Sequence, residues 1–168
     1  MTPRRDRTTL EARLASGPLA PAEAAALAAD LASALAGLHR RGDAHGAVRP
    51  DAIVLAGGRA ALATAFPSSA PEPGDVGALR RAAYAAPEVL RGRRLGPAAD
   101  LFGLGVVLHE ALGGAHPFRV DEDLETVRRI LHEPAPPLAE PGVPRALAEL
   151  VGALLAKAPR HRPTARKV

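Results

Sequence analysis

The chain has 168 residues and a mass of 17.3 kDa, with no cysteine, no tryptophan and a formal charge of +4. That length is about one domain, burying roughly 70% of its unfolded surface on folding, and the missing cysteines exclude disulfides and thiolate metal sites. Alanine supplies 38 residues and aromatics only 2%, so the core is expected from Leu, Val and Ala on closely approaching helices.

In chain order, Thr8 to Ala15 predicts a short helix: Thr8 and Glu11 have capping-box spacing, and Gly17-Pro18 ends it. Pro21 suits the first turn of a second helix, with Glu23 favouring its positive start. Leu27, Leu31, Leu35 and Leu38 recur at helical spacing in an Ala-rich stretch that stops at Arg40-Arg41-Gly42, which predicts a buried helix. Residues 52–56 and 59–63 flank Gly57-Gly58 and read as a two-residue hairpin. The Pro-rich run from Phe66 to Asp75 reads as loop. Asp100 to Leu112 is apolar nearly all round, the mark of a helix inside a core. Asp123 to Glu133 is amphipathic, Glu133 to Val143 is Pro-rich loop, and Pro144 to Lys157 predicts a last helix.

Arginine outnumbers lysine, which occurs only at Lys157 and Lys167, and this reads as codon bias of a GC-rich genome. The surplus charge is spread along the chain, and the basic C-terminus lacks aromatic stacking residues, so no nucleic-acid partner is expected. The longest purely apolar or Gly run, Leu101 to Leu108, falls short of a membrane span. The N-terminus has no apolar signal region, and a cytoplasmic location without membrane insertion is the expectation. The histidines at 39, 45, 109, 116, 132 and 161 form no i, i+4 pair, so structural roles are expected and no metal site.

Four stretches carry a likeness: HGAVRPDAIVL from His45, AYAAPEVLRG from Ala83, AADLFGLGVVLHEALGGAHPF from Ala98, and RHRPTA from Arg160. Together, in this order and spacing, the chain resembles the C-terminal lobe of bacterial, actinobacterial-type Ser/Thr protein kinases. The resemblance implies a mainly α fold: a kinase-like large lobe with one small β-hairpin and without the small N-terminal β lobe. Its parts would be two N-terminal helices (8–42), a degenerate catalytic loop and hairpin (43–66), an activation-segment-like loop (67–92) and C-terminal helices (97–168). It also implies that His45 is the loop histidine and that Arg49 replaces the loop lysine. Asp100 would hold the loop backbone, and Glu88 and Arg162 would pair to tie the activation segment to the last helices.

The chemistry of that family needs a base for the hydroxyl proton and oxygen ligands for Mg²⁺. Here Ala47 stands at the catalytic Asp position, Ala52 at the metal-binding Asn position, and Thr64 at the Asp of Asp-Phe-Gly. Asp43 and Asp51 flank the loop but match no catalytic position. Gly103-Leu104-Gly105 lies inside the central helix, where close packing rather than phosphate binding explains it. The resemblance therefore implies a pseudokinase: a regulatory or scaffolding module without catalytic residues, metal or cofactor, and with weak ATP binding only where a small lobe is supplied. The alternative is a fragment of a divergent ATP-dependent kinase with residual nucleotide binding. A protein partner is expected on the surface normally covered by the small lobe. Ser68 and Ser69 are candidate phosphorylation targets.

Overall fold

The computed structural model describes residues 7–63 and 76–168; Thr64, Ser68 and Ser69 lie outside them. In chain order the elements are β1 (Thr8–Thr9), α1 (Leu10–Leu14), α2 (Pro21–His39), β2 (Ile53–Ala56), β3 (Arg59–Leu62), α3 (Val76–Ala82), α4 (Pro87–Leu90), α5 (Pro97–Gly113), α6 (Asp123–His132) and α7 (Arg145–Leu154). Short 3₁₀ turns at Pro50–Ala52, Pro159–His161 and Ala165–Lys167 complete the chain.

Helix α2 starts where the sequence places it. Pro21 occupies the first turn, and the Glu23 carboxylate accepts the Ala20 N–H at 2.9 Å, satisfying one donor left open at the helix start. Its buried side is a ladder of Leu27, Leu31 and Leu35 with Ala24, Ala28 and Ala32 between them. By length and composition alone α2 is apolar enough to cross a bilayer. In the fold, that ladder belongs to the same core as α5.

Helix α5 is the centre of the molecule, with Leu101, Phe102, Leu104, Val106, Val107 and Leu108 at most 1% exposed. It contacts α2 and α7, and its two internal glycines set how closely its neighbours approach. A Cβ on Gly103 would stand 2.9 Å from the Val48 carbonyl oxygen, and one on Gly105 would stand 2.8 Å from Leu154 Cβ. Close packing thus accounts for the Gly-Leu-Gly triplet. The helix ends at Gly114, whose left-handed backbone (φ 72°) suits glycine.

The Gly57-Gly58 turn has positive φ at both residues, 59° and 76°, and joins β2 to β3 with Val54 opposite Ala61 and Leu55 opposite Ala60. The expected hairpin gains a third strand: β1 pairs antiparallel with β2, Thr8 opposite Leu55 and Thr9 opposite Val54. Thr8 is therefore extended, and the helix cap falls one residue later. Thr9 Oγ1 accepts the Ala12 N–H at 3.1 Å. A two-residue strand leaves no alternation to read, whereas its β-branched threonines are comfortable in extended backbone.

The 67–92 segment expected as loop contains α3 and α4, each under three turns and so without a readable period. Helix α5 begins three residues earlier than expected, at Pro97, and α7 stops at Leu154 instead of reaching Lys157. Pro159 disfavours helical backbone at the residue before it, and Ala158 is extended (φ −83°, ψ 122°).

The glycines make opposite predictions. Gly105→Ala should lower the unfolding free energy by about 1–3 kcal/mol, because the added methyl meets α7. Gly37→Ala, inside α2 with nothing within 4 Å of the new atom, should raise it by up to about 1 kcal/mol. Urea unfolding of the two variants checks both signs.

Candidate functional site

Asp100 lies in the first turn of α5 and is 2% exposed. Such a buried carboxylate requires hydrogen-bond donors, and the segment 39–46 supplies them. Oδ2 accepts the His45 N–H at 2.8 Å, and Oδ1 accepts the Gly46 N–H at 2.8 Å. The third donor is His39 Nε2, 2.9 Å from Oδ2, at the C-terminal end of α2. The backbone bends sharply to present both amides: Gly46 has φ +74°, and a Cβ there would stand 2.6 Å from Leu95 Cδ2. The left-handed backbone favours glycine at that point, while Leu95, a flexible side chain, could shift.

The His45 ring fastens the other side of the loop. Its Nε2 donates to the Ala63 carbonyl just past β3 at 3.0 Å, and Nδ1 accepts the Ala47 N–H at 3.3 Å. A carbonyl can only accept, so the proton is assigned to Nε2. Between these fixed points Ala47 and Ala52 present methyl groups, and Ala52 is fully buried. Arg49 Nε donates to Asp51 Oδ1 at 2.7 Å, so the nearest carboxylate of the loop is held by its neighbour. Asp43 is exposed and pairs with Arg41 at 3.4 Å.

Arg49 and Asp51 border a cleft of about 420 Å³ that also takes in Arg80, Tyr84, Glu110 and Arg119. Tyr84 Oη donates to Glu110 Oε2 at 2.7 Å. Burial, then the adjacent carboxylate, push the phenol pKa far above its ordinary value, so it remains a donor. Arg80 is paired with Glu11 of α1 at 2.8 Å. His116 holds this wall from behind. Its Nε2 donates to the Ala83 carbonyl at 2.9 Å, while Nδ1 accepts the Phe118 and Arg119 amides at 3.1 and 3.0 Å.

Glu88 and Arg162 meet as a two-pronged ion pair, Nη1 to Oε1 at 2.6 Å and Nη2 to Oε2 at 2.9 Å. The remaining N–H groups of Arg162 go to the Ala98 and Ala156 carbonyls at 2.8 Å and to Lys157 at 3.1 Å. All five guanidinium donors are therefore used, on a side chain with no exposed surface.

The structure thus gathers His45, Arg49 and Asp100 around one loop and places Glu88 with Arg162 in a separate buried clasp. His39, Tyr84, Glu110 and His116 were not singled out by sequence reasoning as functional. Their partners lie 26 to 61 residues away, and no local spacing announces them.

Removing one member of the Glu88–Arg162 pair should cost about 3–5 kcal/mol, whereas replacing both by Leu and Met should cost less than either single change. Chemical denaturation of the three variants reads this directly. Burial, the largest cause, lowers the His116 pKa from about 6.5 to about 4. Its folded value lies below its unfolded one, so the contribution is complete above pH 6.5 and is lost as pH falls from there toward 4. The loss should reach about 3 kcal/mol. His116→Asn retains an acceptor for the two amides and should flatten that part of the stability profile, measured against the parent from pH 7 to 4.

Comparison with known sequences places this geometry in context. The protein kinase domain family matches residues 4–168. The chain is 36% identical over 166 residues to serine/threonine-protein kinase PknD of Mycobacterium tuberculosis, covering 94% of this chain and 25% of that protein. It is 35% identical over 159 residues to serine/threonine-protein kinase PkaB of Streptomyces coelicolor, covering 86% of this chain and 37% of that protein. A similar match, 35% over 153 residues, links it to PknH of Mycobacterium tuberculosis, with 87% of this chain and 24% of that protein covered. The chain thus spans a quarter to little more than a third of the length of these relatives. With its matching motifs and a match over nearly all its residues, the chain belongs to the protein kinase domain family.

Proposed function

We propose that this kinase-family chain is a pseudokinase, a regulatory or scaffolding module that binds a protein partner without transferring phosphate. The observation behind this reading is Ala47. It occupies the loop between His45 and Arg49, whose backbone Asp100 fixes from below, and it carries a methyl group where a base would need an oxygen or nitrogen. Mg²⁺ requires oxygen ligands in near-octahedral arrangement. Ala52 has no side-chain oxygen, and Asp51 is the one carboxylate in residues 45–52, so this loop offers too few side-chain oxygens for the metal. The partner surface in this reading is the one that a small lobe would cover.

A second reading is a fragment of a divergent ATP-dependent Ser/Thr kinase with residual nucleotide binding. The intact loop scaffold favours it: Asp100 still organises the backbone, and Arg49 retains a cation where phosphates would approach. The two readings separate in one pair of measurements. Incubation with radiolabelled ATP and a generic protein substrate, with Mg²⁺ or Mn²⁺, should leave substrate and chain unlabelled. Label transfer that disappears on Asp51→Asn would overturn the pseudokinase. A nucleotide titration followed by thermal unfolding then tests residual binding. Ligand at 100 times its Kd would add about 2.7 kcal/mol, and an unchanged transition removes the second reading for this chain.

A further inference from the structure

Two buried side-chain polar atoms among the described residues have no hydrogen-bond partner: His109 Nδ1 and Glu140 Oε2. Both belong to the contact between α5 and a Pro-rich strap, residues 134–143. His109, 7% exposed on α5, donates from Nε2 to the Pro136 carbonyl at 3.0 Å, so Nδ1 carries a lone pair with nothing to accept from. One turn further along α5, a Cβ on Gly113 would stand 3.1 Å from Glu140 Oε1 and 3.5 Å from Leu138 Cδ2, so the strap lies directly on the helix there. Closing the strap takes two acceptors out of water and returns no donor, which makes the closed contact costly.

The fastenings that oppose this cost are few. Four of the ten strap residues are proline and bring no amide hydrogen. Among the described residues, the His109–Pro136 bond is the one hydrogen bond between the strap and another element; the Val143 N–H returns to the Glu140 carbonyl at 3.2 Å within the strap itself. The rest of the attachment is apolar, with Ala135, Leu138 and Val143 partly buried against the core. At one end Glu133 is already extended where α6 stops (φ −98°, ψ 140°). At the other, Gly142 is left-handed (φ 88°) with open space where a side chain would be. The strap is also one wall of a cleft of about 490 Å³, which Pro134, Pro137 and Leu138 line together with Val151 and Gly152 of α7.

We propose that residues 134–143 act as a latch that swings off α5 while the helices beneath stay folded, the two unmet acceptors gaining water when it opens. Opening exchanges one hydrogen bond and the apolar contacts of Ala135, Leu138 and Val143 for hydration of His109 and Glu140. Segments with few buried contacts and few protected hydrogen bonds are where local opening is cheapest. The cleft beside α7 loses a wall in the open state, so the latch sets its shape. The latch shares no residue with the loop at Ala47 and stands whichever reading of that loop holds.

The histidines provide an internal comparison in the unmodified chain. His109 and His116 are almost equally buried, 7% and 8% exposed, and each donates from Nε2 to a backbone carbonyl. The partners of His116, however, are Ala83, Phe118 and Arg119, all outside the strap. Carbethoxylation by diethyl pyrocarbonate at neutral pH, without urea and in urea too dilute to unfold the chain, is followed residue by residue by peptide mass spectrometry. His109 should react at least about ten times faster than His116, at a rate that the urea barely changes. Leu138→Ala removes packing from the strap and should speed His109 about tenfold. Glu140→Met, an apolar chain of similar length, should slow it about tenfold, and neither variant should move His116. Equal rates at His109 and His116, a His109 rate rising with urea as steeply as that of His116, or a His109 rate unchanged in both variants would each overturn the latch.

Discussion

A carboxylate buried at the start of the central helix has to be satisfied by donors, and the shape of the loop at 43–52 follows from that demand. Asp100 takes two consecutive backbone amides and an imidazole N–H, which fixes the end of α2, the turn at Gly46 and the first turn of α5 relative to one another. Charge-assisted bonds of this kind are stronger than neutral ones, and their low-dielectric surroundings strengthen them further. The glycine at 46 suits this arrangement: the chain presents its two amides to the carboxylate in left-handed backbone, which glycine adopts without strain.

Packing around α5 follows a second constraint, the shortage of large side chains. With only three phenylalanines and one tyrosine, the core is filled by bringing backbones together. Gly103 and Gly105 let the Val48 segment and the end of α7 approach α5 directly, while the alanines of α2 lie between its leucines. Interiors of this density have little room to relax, so even one added methyl is felt.

Much of this was legible in the sequence, for reasons particular residues make clear. The long helices announce themselves by leucines at helical spacing, and Gly57-Gly58 announces its hairpin because two residues with positive φ are needed there. The likeness to the kinase large lobe anticipated both the Asp100 contact with the loop and the Glu88–Arg162 pair. Short elements were not legible: β1 is two residues and α4 is four, about one period each, too few for a pattern to repeat. Nor was the part played by His39, Tyr84 or His116, since each depends on a partner brought near only by the tertiary fold.

Arg162 joins backbone and side-chain groups from segments up to 74 residues apart, with every N–H committed inside the molecule. In a polypeptide with no sulfhydryl groups it serves as a cross-link of another kind, one that glutathione or an oxidant leaves untouched. Being shielded from counterions, it is also nearly indifferent to ionic strength. Lysine could not inherit the position, because a point-like ammonium has three hydrogens to offer and no planar fork.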